Sequence, residues 1–157
     1  TICTNPAMCY ISVRPERHSY EIIKQNKEFC VNLPSAEQVK AVDFCGVRSG
    51  KSVNKFLETG LTMSPSASVG CVSVEECPLT LECKVFDIIP LGSHDMFLAD
   101  IVSVAADERI IDANGRLMLE KANLFAYAHG DYFSLGKKIG DFGFSVRRKK
   151  HLKRNKR

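Results

Sequence analysis

Leu79-Thr80-Leu81-Glu82-Cys83-Lys84-Val85 puts Leu, Leu, Cys and Val at alternate positions, with Thr, Glu and Lys between them. A period of two over seven residues is a β-strand with one buried face. On its C-terminal side, His94 to Ala105 reads as a longer strand with few charges, expected to be covered on both faces. On its N-terminal side, the Ser/Gly/Pro stretch Met63 to Gly70 separates this β region from a mixed one. There Met8 to Val13 reads as a strand, stopped by Arg14-Pro15 because proline lacks a donor. His18 to Gln25 reads as a short helix with Tyr20, Ile22 and Ile23 apolar. Glu28 to Leu33 is a further strand, ended by Pro34. Ser35 with Gln38 fits a capping box, so a helix starts there. Another short helix follows Gly50, with Val53, Phe56 and Leu57 on one face. Asn114-Gly115 marks a tight turn, and Gly130, Gly136, Gly140 and Gly143 indicate loops. No regular βαβ alternation runs through the chain. The expected class is mainly β: an antiparallel barrel, closed or nearly so, with two or three short helices inserted.

The chain has 157 residues, enough for one domain with one core. Its net charge of +4 is unevenly spread. Eight Lys and Arg fall from Arg147 onward with no acid, which leaves 14 basic against 18 acidic residues in the body. Residues 1–146 are therefore read as the domain and 147–157 as a basic, solvated and disordered tail. Neither a membrane nor a nucleic acid is expected as partner: no apolar run is long enough to span, and no aromatic-plus-basic motif appears. Seven cysteines, odd in number and without a CxxC pair, argue against a disulfide framework and a zinc ribbon. Cys30 and Cys83 sit in apolar strand patterns and read as small core residues. A reducing, cytoplasmic compartment fits this usage. Thr1-Ile-Cys-Thr4 has no initiator Met and reads as a chain entered partway along, with an N-terminal strand missing.

Four constellations could carry chemistry. Ser12-Val-Arg14-Pro-Glu-Arg17-His18-Ser19 runs from a strand end into a helix start. Two guanidiniums, an imidazole, two hydroxyls and helix N-terminal N–H groups suit a phosphate. The competing reading is a capped surface turn with solvated arginines. Cys45-Gly46-Val-Arg48-Ser49-Gly50-Lys51-Ser52 is similar to a P-loop but has three residues between the glycines instead of four, and no strand before it. Its loop N–H groups could serve another phosphate; otherwise Gly46 ends a helix and Ser49 or Ser52 caps the next. Asn5-Pro6-Ala7-Met8 places an amide and an apolar side chain ahead of the first strand, or is a simple turn. Tyr127-Ala-His129-Gly130-Asp131-Tyr132 offers an imidazole between two tyrosines, suited to the wall beside a stacked ring or to a structural role. There is no GxSxG elbow and no metal-ligand set.

Taken in order, these stretches resemble the flavin reductase-like, FMN-binding split-barrel family, and most closely its flavoredoxin-like branch. The matching residues are Thr4-Asn-Pro-Ala-Met8, Ile11 to Tyr20, Phe29-Cys-Val-Asn-Leu-Pro34, Asp43 to Lys51, Glu82-Cys83, Gly92 to Leu98 and Tyr127 to Tyr132. The resemblance implies an antiparallel, Greek-key-like split β-barrel of about six strands, a homodimer, and one FMN per subunit near the dimer interface. It implies that Ser12, Arg14, Arg17, His18 and Ser19 hold the FMN phosphate. Asn5, Pro6 and Met8 would lie along the ring or ribityl chain, and Asn32 would reach the flavin from the second strand. Ser49, Gly50 and Lys51 would close over the phosphate side, with His129 and Tyr132 near the ring or at the partner subunit. His129 is the catalytic candidate, ordering the nicotinamide or the flavin edge. The implied activity is that of an FMN-dependent flavin reductase or electron-transfer protein, with NAD(P)H or a reduced carrier as donor. The alternatives are a flavin-binding or storage module without turnover, and a flavin-free relative.

Overall fold

The computed structural model describes residues 1–147; of the basic tail expected from 147 on, all but Arg147 lies outside the described residues. Five strands form one antiparallel sheet: β1 (Cys3–Thr4), β2 (Ala7–Val13), β3 (Glu28–Leu33), β6 (Leu79–Pro90) and β7 (Asp95–Ala106), in the order β1-β2-β7-β6-β3. Two ribbons flank it, β4 (Met63–Pro65) with β5 (Val72–Val74), and β8 (Phe125–Ala128) with β9 (Asp131–Ser134). Three helices are inserted: α1 (His18–Asn26), α2 (Val39–Val47) and α3 (Lys55–Thr59). The mainly β, antiparallel class with short helices is therefore observed.

The alternating stretch from Leu79 to Val85 is the first half of β6. It forms a long hairpin with β7, and two register shifts, at Glu82/Cys83 and Val85/Asp87, bend it. Bulges increase twist and curl a sheet. The curl shows in the core: Cys9 on β2 and Cys83 on β6 are separated by β7, yet their sulfurs lie 3.5 Å apart. Upright side chains on a flat sheet would stand roughly 10 Å apart at two strand spacings. The intervening strand presents Ala99, fully buried, opposite Cys9 on β2 and Val85 on β6, with Ile101 opposite Cys83 two positions along. Cys9, Tyr20, Phe29, Cys83, Val85, Phe97 and Ala99 make up the buried cluster. α1 closes it by laying the Tyr20 ring edge-on to Phe97, centroids 5.4 Å apart. The Tyr20 hydroxyl donates to Asp95 Oδ2 at 2.5 Å, which raises its pKa above the ordinary value.

Several local expectations need correcting. β7 buries Phe97 and Ala99 on one face, but Val102 and Val104 on its second half stay exposed within the chain, so it is not covered on both faces. Cys30 is half-buried at the edge of the core, facing Cys71 and Ser66. Gly46 does not end α2, which continues to Val47. Nor do Ser49 or Ser52 cap α3: Asn54 does, its Oδ1 accepting from the Leu57 N–H at 3.2 Å. The stretch from Met63 to Gly70 and the glycine-rich last third each hold half or all of a ribbon that their composition conceals. The Ser35 cap is as expected, its N–H donating to Gln38 Oε1 at 2.7 Å, with a 3-10 turn leading into α2.

Candidate functional site

β2 delivers Arg14 to the rim of the barrel, and α1 begins four residues later. The N-cap of α1 is Arg17, in extended backbone, and no side chain caps the helix. The Tyr20 N–H donates to the Arg17 carbonyl at 3.0 Å, which leaves the His18 and Ser19 N–H groups for an external acceptor, at the end of the helix where its dipole favours an anion. On the opposite side, α2 runs down to Val47 and the chain turns through Ser49 and Gly50. Ser49 organises that turn: its carbonyl accepts from Ser52 and Val53 N–H, and its hydroxyl from the Lys51 N–H at 3.2 Å. Lys55 donates to the Cys45 carbonyl at 2.6 Å, satisfying the C-terminal end of α2.

The two segments face each other across a groove of about 560 Å³. Its charged lining is Arg14, Arg17, Arg48 and Lys55 against Glu16, four cations to one carboxylate. Glu16 is held below the usual carboxylate range, first by its own backbone N–H and further by Arg14, which it meets at 3.4 Å. His18, Ser19, Ser49 and Gly50 also line the groove, and Ile22 provides an apolar wall. The approach is close where Gly50 passes α1: a Cβ there would sit 3.3 Å from His18 Cδ2. A shallower recess adjoins it, sharing His18, Gly50 and Lys55 and adding Lys51. A phosphomonoester fits this donor set, which offers forked guanidiniums, hydroxyls, helix N–H groups and a glycine that admits close approach.

The structure thus gathers Arg14, Arg17, His18, Ser19, Ser49 and Gly50 around one groove, with Lys51 beside it. The other candidates lie elsewhere. Ser12 remains on β2, paired with Met96, and does not line the groove. Asn5, Pro6 and Met8 form the β1–β2 turn and the start of β2, and six residues of strand, about 20 Å, separate Met8 from Arg14. Asn32 has its Oδ1 occupied by Val74 N–H and the Thr80 hydroxyl, both at 3.0 Å. It lines a small apolar cavity between β3, α2 and β5. His129 sits exposed in the β8–β9 turn at φ 52°. Tyr132 donates to Asp43 Oδ1 on α2 at 3.1 Å and packs against Phe125 and Tyr127; desolvation and Asp43 raise its pKa. Arg48 and Lys55 join the groove without having been singled out. Arg48 stands inside the quoted Cys45–Ser52 motif and was passed over for its neighbours. Lys55 gives no local signal, because its role is to cap a helix ten residues upstream.

Comparison with known proteins bears on the family and the fold. Residues 1–136 match the family described as flavin reductase like domain. The flavoredoxin of Desulfovibrio vulgaris (Miyazaki F) superposes with a TM-score of 0.86 at 26% identity, covering 92% of this chain and 79% of that one. An uncharacterised protein of Pyrococcus abyssi is 29% identical over 108 residues, which are 69% of this chain and 62% of that protein. An FMN reductase (NADH) of Enterobacter cloacae is 23% identical over 108 residues, 66% of this chain and 61% of its own length. The chain thus spans about three fifths of the curated relatives it matches.

Proposed function

We propose, from the premise that this chain belongs to the flavin reductase like domain family, that it is an FMN-binding flavoprotein acting as a flavin reductase or electron-transfer protein. The observation that carries this reading is the convergence of residues 14–19 and 45–55 on one cationic groove. Charge and forked donors there match a terminal phosphate dianion, and FMN ends in one. The bound flavin would supply the redox chemistry, taking up a hydride and passing electrons on.

The protein's own residues bind and orient. Arg14 and Arg17 neutralise the phosphate, and Glu16 holds Arg14 toward the groove. The uncapped start of α1 donates backbone N–H groups. Gly50 keeps the opposite wall near enough for Ser49 and the Ser49–Lys51 turn to approach the same oxygens. His129 is the candidate for ordering the nicotinamide or the flavin edge. With its turn exposed in one chain, it would do so as part of a homodimer, next to the partner's flavin. The exposed apolar residues Phe86, Val102 and Val104 of the β6–β7 hairpin support such an assembly. NAD(P)H is the proposed donor, by likeness to the NADH-dependent relative. Seven free thiols suit a reducing, cytoplasmic setting, and no helix among the described residues is long and apolar enough to cross a membrane.

The test is a spectrum and a reduction. The purified protein, titrated with FMN, gains flavin absorbance at one equivalent per chain and bleaches anaerobically with NADH or NADPH. A protein that stays colourless throughout the titration overturns the reading. One that binds FMN yet stays yellow with both nucleotides and with reduced ferredoxin is a storage module. If His129→Ala leaves NAD(P)H oxidation unchanged, His129 has no part in the reaction.

A further inference from the structure

Two cysteine pairs come into contact in this chain, in very different settings. Cys9 and Cys83, Sγ to Sγ 3.5 Å, are sealed in the core. Cys30 and Cys71, Sγ to Sγ 3.4 Å, stand at the outer side of β3, both partly accessible. Cys30 belongs to the edge strand of the main sheet, and Cys71 ends the loop from Ser66 that leads into β5.

That loop is fastened at several points. The carboxylate of Glu82, itself only 2% exposed, accepts from Ala67 N–H at 2.9 Å and Ser68 N–H at 2.6 Å. Glu28 Oε2 accepts from Gly70 N–H at 2.7 Å, and Cys30 Sγ meets Ser66 Oγ at 3.3 Å. The backbone of 66–70 is therefore already in register with β3 and β6, and Cys71 is delivered to Cys30. Most of the chain entropy that a cross-link costs is met by folding. What remains is a movement of about 1.4 Å to reach the S–S bond length of about 2.05 Å.

We propose that Cys30 and Cys71 form a reversible dithiol–disulfide couple that staples the 66–71 loop to β3. The oxidant is a small disulfide of the glutathione class. The Cys30 thiolate attacks one sulfur of that disulfide, forming a mixed disulfide and releasing one glutathione thiolate, which takes up a proton. Cys71 then loses its proton to solvent and attacks the Cys30 sulfur. The intramolecular S–S bond forms and the second glutathione leaves. Two protein thiols are oxidised and one glutathione disulfide is reduced to two thiols. Burial, with Cys30 beside it, pushes the Cys71 thiol up to about 12, so closure by Cys71 is the slow step at neutral pH and speeds up as pH rises.

The experiment uses the full chain in glutathione buffers graded from reduced to oxidised, followed by acid quench, alkylation and peptide mapping without reductant. The expected result is one cross-linked peptide pair carrying Cys30 and Cys71, lost on adding dithiothreitol, with Cys9 and Cys83 still alkylated as thiols. The oxidised protein melts about 10 °C higher, as a loop of some forty residues closed by one bond would give. Cys30→Ser and Cys71→Ser each remove both the cross-link and the shift, and a circular dichroism spectrum like that of the unaltered protein shows that they fold. A glutathione adduct that persists on Cys30, no reaction at either residue, or a cross-link between other cysteines overturns the proposal. None of these readouts depends on flavin.

Discussion

The groove at the start of α1 and the hairpin of β8 and β9 both hold residues that sequence reasoning linked to a flavin, and the fold treats them differently. The groove takes residues some thirty positions apart in the chain and packs them around one space; Lys55 is committed to the Cys45 carbonyl and Arg14 meets Glu16, and no side chain caps the start of α1. The hairpin spends its polar groups locally: Tyr132 is bound to Asp43 and stacked with two aromatic neighbours, while His129 faces solvent. A set of like charges held together with one counter-charge is costly unless an anion joins it. An aromatic hairpin is stable as it stands. The contrast fits the proposed function, in which the groove would take the phosphate within one chain and the hairpin would meet the ring across a pair of chains.

The largest test of that contrast is Arg14→Ala with Arg17→Ala. Two charge-assisted bonds worth about 1.5 kcal/mol or more each make the FMN dissociation constant rise by about 100-fold or more in a fluorescence titration. A rise under tenfold would break the contrast. Next comes Glu82→Gln, which weakens the two loop bonds without touching the groove. A loss of about 1–3 kcal/mol in urea unfolding, with FMN affinity unchanged in the folded protein, is expected. Smaller is a pH effect on the packing beneath α1. Because Asp95 raises the Tyr20 pKa above 10.0, the native state holds that proton more tightly than the unfolded chain. The stability it contributes is present below pH 10 and is lost as pH rises through the folded value. Thermal melts above pH 10 should therefore fall more steeply for the unaltered protein than for Tyr20→Phe, and parallel slopes would remove Tyr20 from the account. The smallest effect belongs to Tyr132→Phe, with FMN affinity changing by less than about threefold. A tenfold loss there would mean that the hairpin reaches the flavin after all.

The parts of the fold visible in the sequence are those written in local chemistry. Period-two alternation located β6, proline ended β2 and β3, and the Ser35/Gln38 pair located the entry to α2. The groove was legible because its Arg, His, Ser and Gly residues fall in short runs, at 14–19 and 45–55. What escaped notice depended on distance. The carbonyl of Asn32 is taken by Thr80 and Val74, from 48 and 42 residues away, which nothing near Asn32 in the chain announces. Cys30 looked like core until Cys71 arrived beside it. Lys55 was silent because its partner is a carbonyl, which every residue has. β4 and β5 are three residues each, too short for any period to register.

Ala99 ties the middle of the molecule to its rim. Ala99 is fully buried opposite Cys9 and Val85, so a larger side chain there would press against β2 and β6 and flatten the arc they make with β7. β2 ends at Val13, one residue before the first guanidinium, so a flatter arc would swing that charge away from the turn at Gly50. On the proposed function, one buried methyl group would thus bear on the grip of two surface arginines and a glycine that it never touches.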